Sequence, residues 1–300
     1  MSVISEIQSK IAEAAREHGP AVVGIGRGWR FGSGTVIAPD RVLTAAHHVR
    51  SEGVTVTFAE DRTASAELVG ADRDLGLALL EADTGEVEPL AWASPDAEVG
   101  IGTAVLALAN PGGRGVRASL GFVAAAERDF RGPRGRRISG ALEHTATLPR
   151  GSAGGPLLDA EGRLLGVNAL RLEGGLIVAL GPGSGLREAV ERIARGEESA
   201  RPFLGVAVAP AHVSRRMRRA VGLPERDGLL VRGVEDSSPA ARAGIARGDL
   251  IVAAAGEQVE GIDALHGALD AVAGNGGLTL TIVRGTEERE VKVELTAATA

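Results

Sequence analysis

A mainly β chain ending in a small α+β domain is what the sequence predicts, and three observations carry it. From Ala21 to Gly181 short apolar runs alternate with glycine, as in Ala21-Val22-Val23-Gly24-Ile25-Gly26 and Gly34-Thr35-Val36-Ile37-Ala38, with no helical period between them. This stretch is too long for one small barrel. A polar break at 196–202 then marks a boundary, and the chain beyond it mixes strand-like runs with one helical pattern, Leu265, Leu269 and Val272. Three hundred residues, 44% of them apolar, supply two cores.

Met1 to Pro20 reads as an amphipathic helix with Val3, Ile4, Ile7 and Ile11 on one face. It has no basic segment followed by an apolar run, and no stretch approaches the ~18 consecutive apolar residues of a membrane span. With no cysteine in the chain, the expectation is a cytoplasmic protein. A net charge of -6 and the absence of tyrosine argue against nucleic acid and anionic membranes as partners. Val54 to Phe58, Thr103 to Leu108 and Leu164 to Ala169 continue the strand pattern.

Chemistry concentrates at Arg150-Gly151-Ser152-Ala153-Gly154-Gly155-Pro156. Glycines let a backbone turn sharply and bring amides close to a substrate carbonyl. Upstream lies Thr44-Ala45-Ala46-His47-His48-Val49, with a histidine suited to general-base work, and then Asp72-Arg73-Asp74-Leu75-Gly76-Leu77-Ala78-Leu79-Leu80, where a carboxylate precedes an apolar strand. Asp74 is the preferred carboxylate and Asp72 its rival.

In this order the three segments resemble a trypsin-like serine protease, whose nucleophile loop runs Gly-X-Ser-Gly-Gly-Pro. Phe31-Gly32-Ser33-Gly34-Thr35-Val36-Ile37 is similar to the strand that precedes the histidine in the HtrA branch of that family. The resemblance implies a chymotrypsin-like double β-barrel, 21–98 and 99–183, with His47 as general base, Asp74 as its orienting carboxylate and the amides of Gly151 and Ala153 as an oxyanion hole. The nucleophile position is held by Ala153. Ser152 is a poor substitute, because its side chain leaves the backbone in another direction.

The resemblance also implies a regulatory loop between Ala124 and Leu148, which here carries Arg128, Arg131, Arg134, Arg136 and Arg137. HtrA relatives usually have an aspartate where this chain has Thr145. Gly174 to Gly181 corresponds to the family strand that pairs with substrate. Val178, Ala179 and Leu180 are then expected to line a pocket for an aliphatic or other uncharged side chain. Ser184 is the expected cap of a connector helix, 184–195, with Leu186, Val190 and Ile193 on one face.

After the linker at 196–202, residues 203–296 resemble a PDZ domain. Phe203-Leu204-Gly205-Val206 matches the loop that grips a peptide C-terminus in HtrA proteins, and Ser238-Pro239-Ala240-Ala241-Arg242-Ala243-Gly244-Ile245-Ala246-Arg247-Gly248-Asp249-Leu250-Ile251 is close to the family's most specific segment.

Two functions stay open. One is an ATP-independent serine endopeptidase for unfolded or damaged proteins, lacking its hydroxyl at Ala153 and so inactive. The other is a natural pseudoprotease that binds peptides and cuts nothing. Trimers are common in the family, so a homo-oligomer is the expected assembly. Lys10 and Lys292 are not placed for a Ser-Lys dyad, the histidines lack metal-ligand spacing, and Asn110-Pro111-Gly112-Gly113-Arg114-Gly115 lacks the Gly-Lys-Ser/Thr of a phosphate loop. No metal or cofactor is expected.

Overall fold

The computed structural model describes residues 2–26, 31–49, 53–132, 137–197, 202–272 and 276–295. The chain divides into two compact units, Met1–Glu197 and Glu198–Ala300. The expected linker at 196–202 straddles this division, and its residues 198–201 lie outside the described ones.

The first unit opens with α1 (Val3–His18), whose N-terminus is capped by Ser2 Oγ accepting from Ser5 N at 3.2 Å. Its apolar face is only partly covered. Ala14 is buried and Ile11 packs on the core, whereas Val3 and Ile4 are 70% and 77% exposed.

Six strands then close the first barrel: β1 (Val22–Ile25), β2 (Gly32–Ala38), β3 (Arg41–Ala45), β4 (Val54–Thr57), β5 (Thr63–Asp72) and β6 (Leu77–Ala82), in spatial order β1-β2-β3-β6-β5-β4. The second barrel repeats that order as β7-β8-β9-β12-β11-β10 with β7 (Ala104–Ala109), β8 (Arg117–Arg131), β9 (Arg137–His144), β10 (Pro156–Leu158), β11 (Leu164–Arg171) and β12 (Ile177–Leu180).

Strand β7 explains why these runs read as continuously apolar. Val105, Ala107 and Ala109 join one core cluster with Val123, Leu142, Leu157 and Ala179. Leu106 and Leu108 point the other way, into a cluster shared with Val22, Ile25, Val42 and Leu80 of the first barrel. A strand buried on both faces has no polar alternation to display. The segment between the barrels is tied to both through backbone, with Leu90 N donating to Val36 O at 3.0 Å, Ala93 N to Leu164 O at 3.0 Å and Leu164 N to Ala91 O at 2.7 Å.

Two expectations are corrected here. The arginine-rich stretch after Ala124 is mostly a hairpin, because β8 and β9 satisfy each other's backbone groups out to Arg131 and Arg137 through several bulges. Its charges are held in part by ion pairs, Arg128 with Glu143 at 3.3 Å and Arg137 with Asp129. Arg134 and Arg136 lie outside the described residues. Ser184 does not cap the connector helix: its hydroxyl donates to Gly181 O at 2.7 Å inside a turn, and α2 (Leu186–Ala194) starts after Gly185 at φ 70°. Leu186, Ala189, Val190 and Ile193 of α2 are buried, and Arg192 reaches Asp72 at 2.8 Å.

In the second unit, β13 (Val206–Ala209), β14 (Leu229–Val234), β15 (Leu250–Ala254), β17 (Gly277–Arg284) and β18 (Glu287–Glu294) form a sheet in that order, with β16 (Glu257–Gln258) added beside β15. Helices α3 (Ala211–Ala220), α4 (Pro239–Arg242) and α5 (Ile262–Ala271) complete it, and Leu265 and Leu269 of α5 enter its core with Leu204, Leu229 and Leu280. Asp249, 1% exposed, accepts from Ala246 N at 2.8 Å and from Arg284 Nε and Nη2 at 2.7 and 2.8 Å, which closes the turn into β15. Burial alone would raise its pKa, but the bonds from Arg284 and Ala246 outweigh it and hold the carboxyl below its ordinary value.

Candidate active site

The glycine loop is held against the first barrel by backbone geometry. Gly151 and Gly154 have φ of 83° and 86°, a region that side-chain-bearing residues rarely adopt. A Cβ on Gly154 would lie 2.3 Å from Ser33 O and 3.0 Å from Ala45 N, so only glycine lets the loop approach the histidine-bearing turn. Ser33 N donates to Ala153 O at 3.3 Å, Ser33 Oγ to Gly151 O at 2.9 Å, and Thr35 Oγ1 to Gly154 O at 2.9 Å. With those carbonyls held by β2, the amides of Gly151 and Ala153 are left over. Among the described residues neither amide donates a hydrogen bond.

From behind, Asn168 of β11 pins the same loop. Its carbonyl accepts from Gly154 N at 2.8 Å, its amide donates to Gly155 O at 2.9 Å, and Nδ2 donates to Gly155 O and Pro156 O at 2.9 and 3.2 Å. Asn168 Oδ1 therefore accepts from His144 Nε2 at 2.9 Å, which fixes that buried ring in one tautomer. Burial holds His144 below the usual histidine range, against the opposing pull of the Asn168 bond.

His47 and His48 share a short turn after β3 and have different surroundings. His47 is exposed. The partly buried His48 ring sits so close to Gly32 that a Cβ there would fall 2.0 Å from Nδ1, and its Nδ1 lies 3.5 Å from Thr44 Oγ1. Burial first, and the neighbouring His47 second, lower its pKa to about 4, so it is neutral near pH 7. Ala46 N donates to Gly76 O at 2.7 Å, extending the β3–β6 pairing and bringing the His47 turn alongside the turn that carries Asp74.

Asp74 and its rival Asp72 are both buried, at 8% and 3% exposed. Asp72 is fully occupied: Oδ1 accepts from Asp74 N at 3.0 Å and Leu75 N at 2.9 Å, and Oδ2 from Arg192 at 2.8 Å. Asp72 shapes the turn that presents Asp74. Ser152, 6% exposed, donates its hydroxyl to Pro149 O at 2.6 Å and so faces into its own turn.

A cleft of about 280 Å³ opens beside Ala153, walled by residues 149–153, by residues 168–171 and by Ile177. This corrects the expected pocket. Val178, Ala179 and Leu180 are 2%, 0% and 0% exposed, because β12 lies between β11 and β9, with Ala179 in the core of the second barrel and Leu180 in the cluster shared with the first. The wall comes instead from the end of β11, and Arg150 and Arg171 line the cleft where only small apolar groups were expected. Ser33, Asn168, Arg150 and Arg171 are the site residues that sequence reasoning missed. Only Arg150, adjoining the glycine loop, carried a signal in its position.

In the second unit Gly205, φ 81°, packs directly on Ser238, and a Cβ there would lie 2.2 Å from the serine Cβ. Its carbonyl accepts from Glu235 N at 2.9 Å, and Leu204 O from Ala240 N at 3.0 Å. Among the described residues the amides of Leu204 and Gly205 donate no hydrogen bond. Phe203 and Val206 flank them, and β13, which begins at Val206, is an edge strand.

Residues 32–167 match the trypsin-like peptidase domain and residues 202–295 the PDZ domain. The chain is 30% identical over 274 residues to a probable periplasmic serine endoprotease, DegP-like, of Brucella suis, covering 89% of this chain and 52% of that protein. A protein of the same name from Rickettsia prowazekii is 26% identical over 89% of this chain and 53% of its own length. The chain thus spans about half the length of these curated relatives. Among solved structures, the serine endoprotease from Yersinia pestis superposes with a TM-score of 0.62 at 24% identity, covering 96% of this chain and 98% of that one. An HtrA-type protease, AlgW, with a decapeptide gives 0.63 at 21%, covering 97% and 99%. The periplasmic naming of the relatives overturns the expected cytoplasmic location. The absence of cysteine, and of a spanning helix among the described residues, is compatible with either compartment, so neither could report it.

Proposed function

The chain belongs to the HtrA/DegP type of serine endoprotease, a trypsin-like peptidase domain followed by a C-terminal PDZ domain, and from this premise we propose that it is built to hydrolyse peptide bonds in unfolded or damaged polypeptides without ATP. The observation that carries the reading is the glycine loop, whose Gly151 and Ala153 amides are left undonated beside a cleft while Ser33 and Thr35 hold its carbonyls. Two amides aimed at one point stabilise the oxyanion of a tetrahedral intermediate. His47 is the general base: it takes the proton of an attacking hydroxyl at position 153 and returns it to the leaving amine. Asp74 orients the imidazole and stabilises its charged form. The neutral, enclosed His48 and the fully bonded Asp72 are positioning residues.

With Ala153 the chain has no hydroxyl to form an acyl-enzyme, and Ser152 does not replace it, since its hydroxyl is spent on Pro149 O. The chain as it stands binds substrate without cutting. The edge of β13 and the Leu204 and Gly205 amides receive a peptide C-terminus by strand addition.

The test is fluorophosphonate labelling of this chain beside an Ala153→Ser variant, both shown to be folded, with digestion of an unfolded protein as a second readout. Labelling and cleavage by the serine variant alone support the protease reading. An inert serine variant, even with PDZ-directed peptides present, removes it in favour of the pseudoprotease, a peptide-binding protein whose site has decayed beyond Ala153.

A further inference from the structure

The cleft beside position 153 carries a charge pattern at odds with the rest of the protein. The chain has a net charge of -6, yet among the described residues no aspartate or glutamate lines the cleft, whereas Arg150 and Arg171 both do. Some arginines elsewhere are committed to carboxylates, Arg163 to Asp159, Arg192 to Asp72 and Arg284 to Asp249. Among the described residues Arg150 and Arg171 have no ion pair. They come from different segments, Arg150 from the one entering the glycine loop and Arg171 from the end of β11, where it pairs with Ile177 across the ladder.

The neutral polar side chains of the cleft are already satisfied. Ser152 Oγ donates to Pro149 O. Asn168 spends Nδ2 on Gly155 O and Pro156 O, and its Oδ1 accepts from His144. The Gly151 and Ala153 amides belong to the carbonyl of the bond under attack. That leaves the two guanidinium groups as the uncommitted side-chain donors, and a guanidinium matches a carboxylate in both charge and fork geometry.

We propose that this cleft selects an acidic side chain, glutamate or aspartate, at the residue preceding the scissile bond, with Arg150 and Arg171 as the specificity-determining residues. The proposal rests on the reading that the cleft receives that residue. Both arginines stand at the exposed rim, so the selection is graded: an aliphatic side chain leaves them solvated at little cost, whereas lysine or arginine is repelled.

The experiment uses the chain with Ala153 in place, so that binding is read without cleavage. Fluorescent peptides amidated at the C-terminus, to keep them off the PDZ loop, carry a central Glu, Leu or Lys in an otherwise constant sequence, and anisotropy gives their affinities. The expected order is Glu above Leu above Lys, with Glu over Leu by about ten-fold at low salt and the ratio shrinking towards one near ~0.5 M salt. Arg150→Ala with Arg171→Ala brings the ratio of Glu to Leu binding to about one. Both residues are exposed, so the double variant folds. Equal binding of the Glu and Leu peptides, or a ratio that survives the double substitution, overturns the proposal. In the Ala153→Ser background, cleavage after leucine with no preference for glutamate removes the specificity and leaves the protease standing. Failure to label or cleave removes the protease reading, and the binding order still decides the specificity.

Discussion

Ser33 Oγ donates to Gly151 O at 2.9 Å and accepts from Asn110 N at 3.0 Å, so one fully buried serine of the first barrel holds both the glycine loop and the end of a strand of the second. Nothing about a Gly-Ser-Gly strand announces this bridge, since its two partners lie 77 and 118 residues away in sequence.

Removing that hydroxyl leaves a buried acceptor and a buried donor unpaired. Ser33→Ala is expected to cost ~2–3 kcal/mol of stability in denaturant unfolding. In the Ala153→Ser background it is also expected to slow fluorophosphonate labelling by at least about ten-fold, because the loop carbonyls are no longer held away from the oxyanion site. Labelling at an unchanged rate in a destabilised variant would separate the two roles.

Asp72 and Asp74 sit two residues apart, are both buried and have opposite expected effects. With serine restored at 153, Asp74→Asn should lower kcat by ~10³–10⁴-fold with little change in unfolding, as loss of the tautomer-setting carboxylate does in such triads. Asp72→Asn keeps the oxygen that shapes the turn and loses the charge facing Arg192, which is partly exposed. It should cost ~1–2 kcal/mol of stability and change kcat by less than about ten-fold. Steady-state kinetics and urea unfolding of both variants check the split.

His48 makes stability depend on pH. Its folded pKa of about 4 lies below the ordinary histidine value near 6.5, so the unfolded chain binds the proton more readily. Its contribution is fully present above about pH 6.5 and is lost as pH falls towards about 4, a change on the order of 2–3 kcal/mol after allowance for partial exposure. His48→Gln should flatten the stability profile across that window relative to the parent chain. Equal slopes in parallel unfolding titrations would mean that the ring is not enclosed as described.

Much of the candidate site was readable in one dimension because it is carried by short local segments. Thr44 to Val49, Asp72 to Leu80 and Arg150 to Pro156 each combine a functional position with the turn or strand that presents it, and their order along the chain matches the trypsin-like pattern. The strands were legible for a similar reason, since a run such as Ala104 to Ala109 has no polar face to hide. Asp249 and the segment before it were equally plain, because the turn they form closes within a few residues.

The walls of the cleft were not legible, and the reason is register. Which residues of β11 and β12 reach solvent depends on which strands flank them: Val178, Ala179 and Leu180 disappear into the core because β9 closes the barrel beside β12, and β11 ends in the open at Arg171. No local pattern encodes that closure. The same holds for Asp72 against Asp74 and for His47 against His48, where neighbouring identical residue types take different roles. Residue order and composition are enough to specify the barrels, the PDZ sheet and the three candidate catalytic segments. Which carboxylate is spent on Arg192, which imidazole is enclosed by Gly32 and which two arginines are left facing the cleft were settled by contacts between residues distant in sequence, because burial and hydrogen-bond satisfaction are properties of the packed chain.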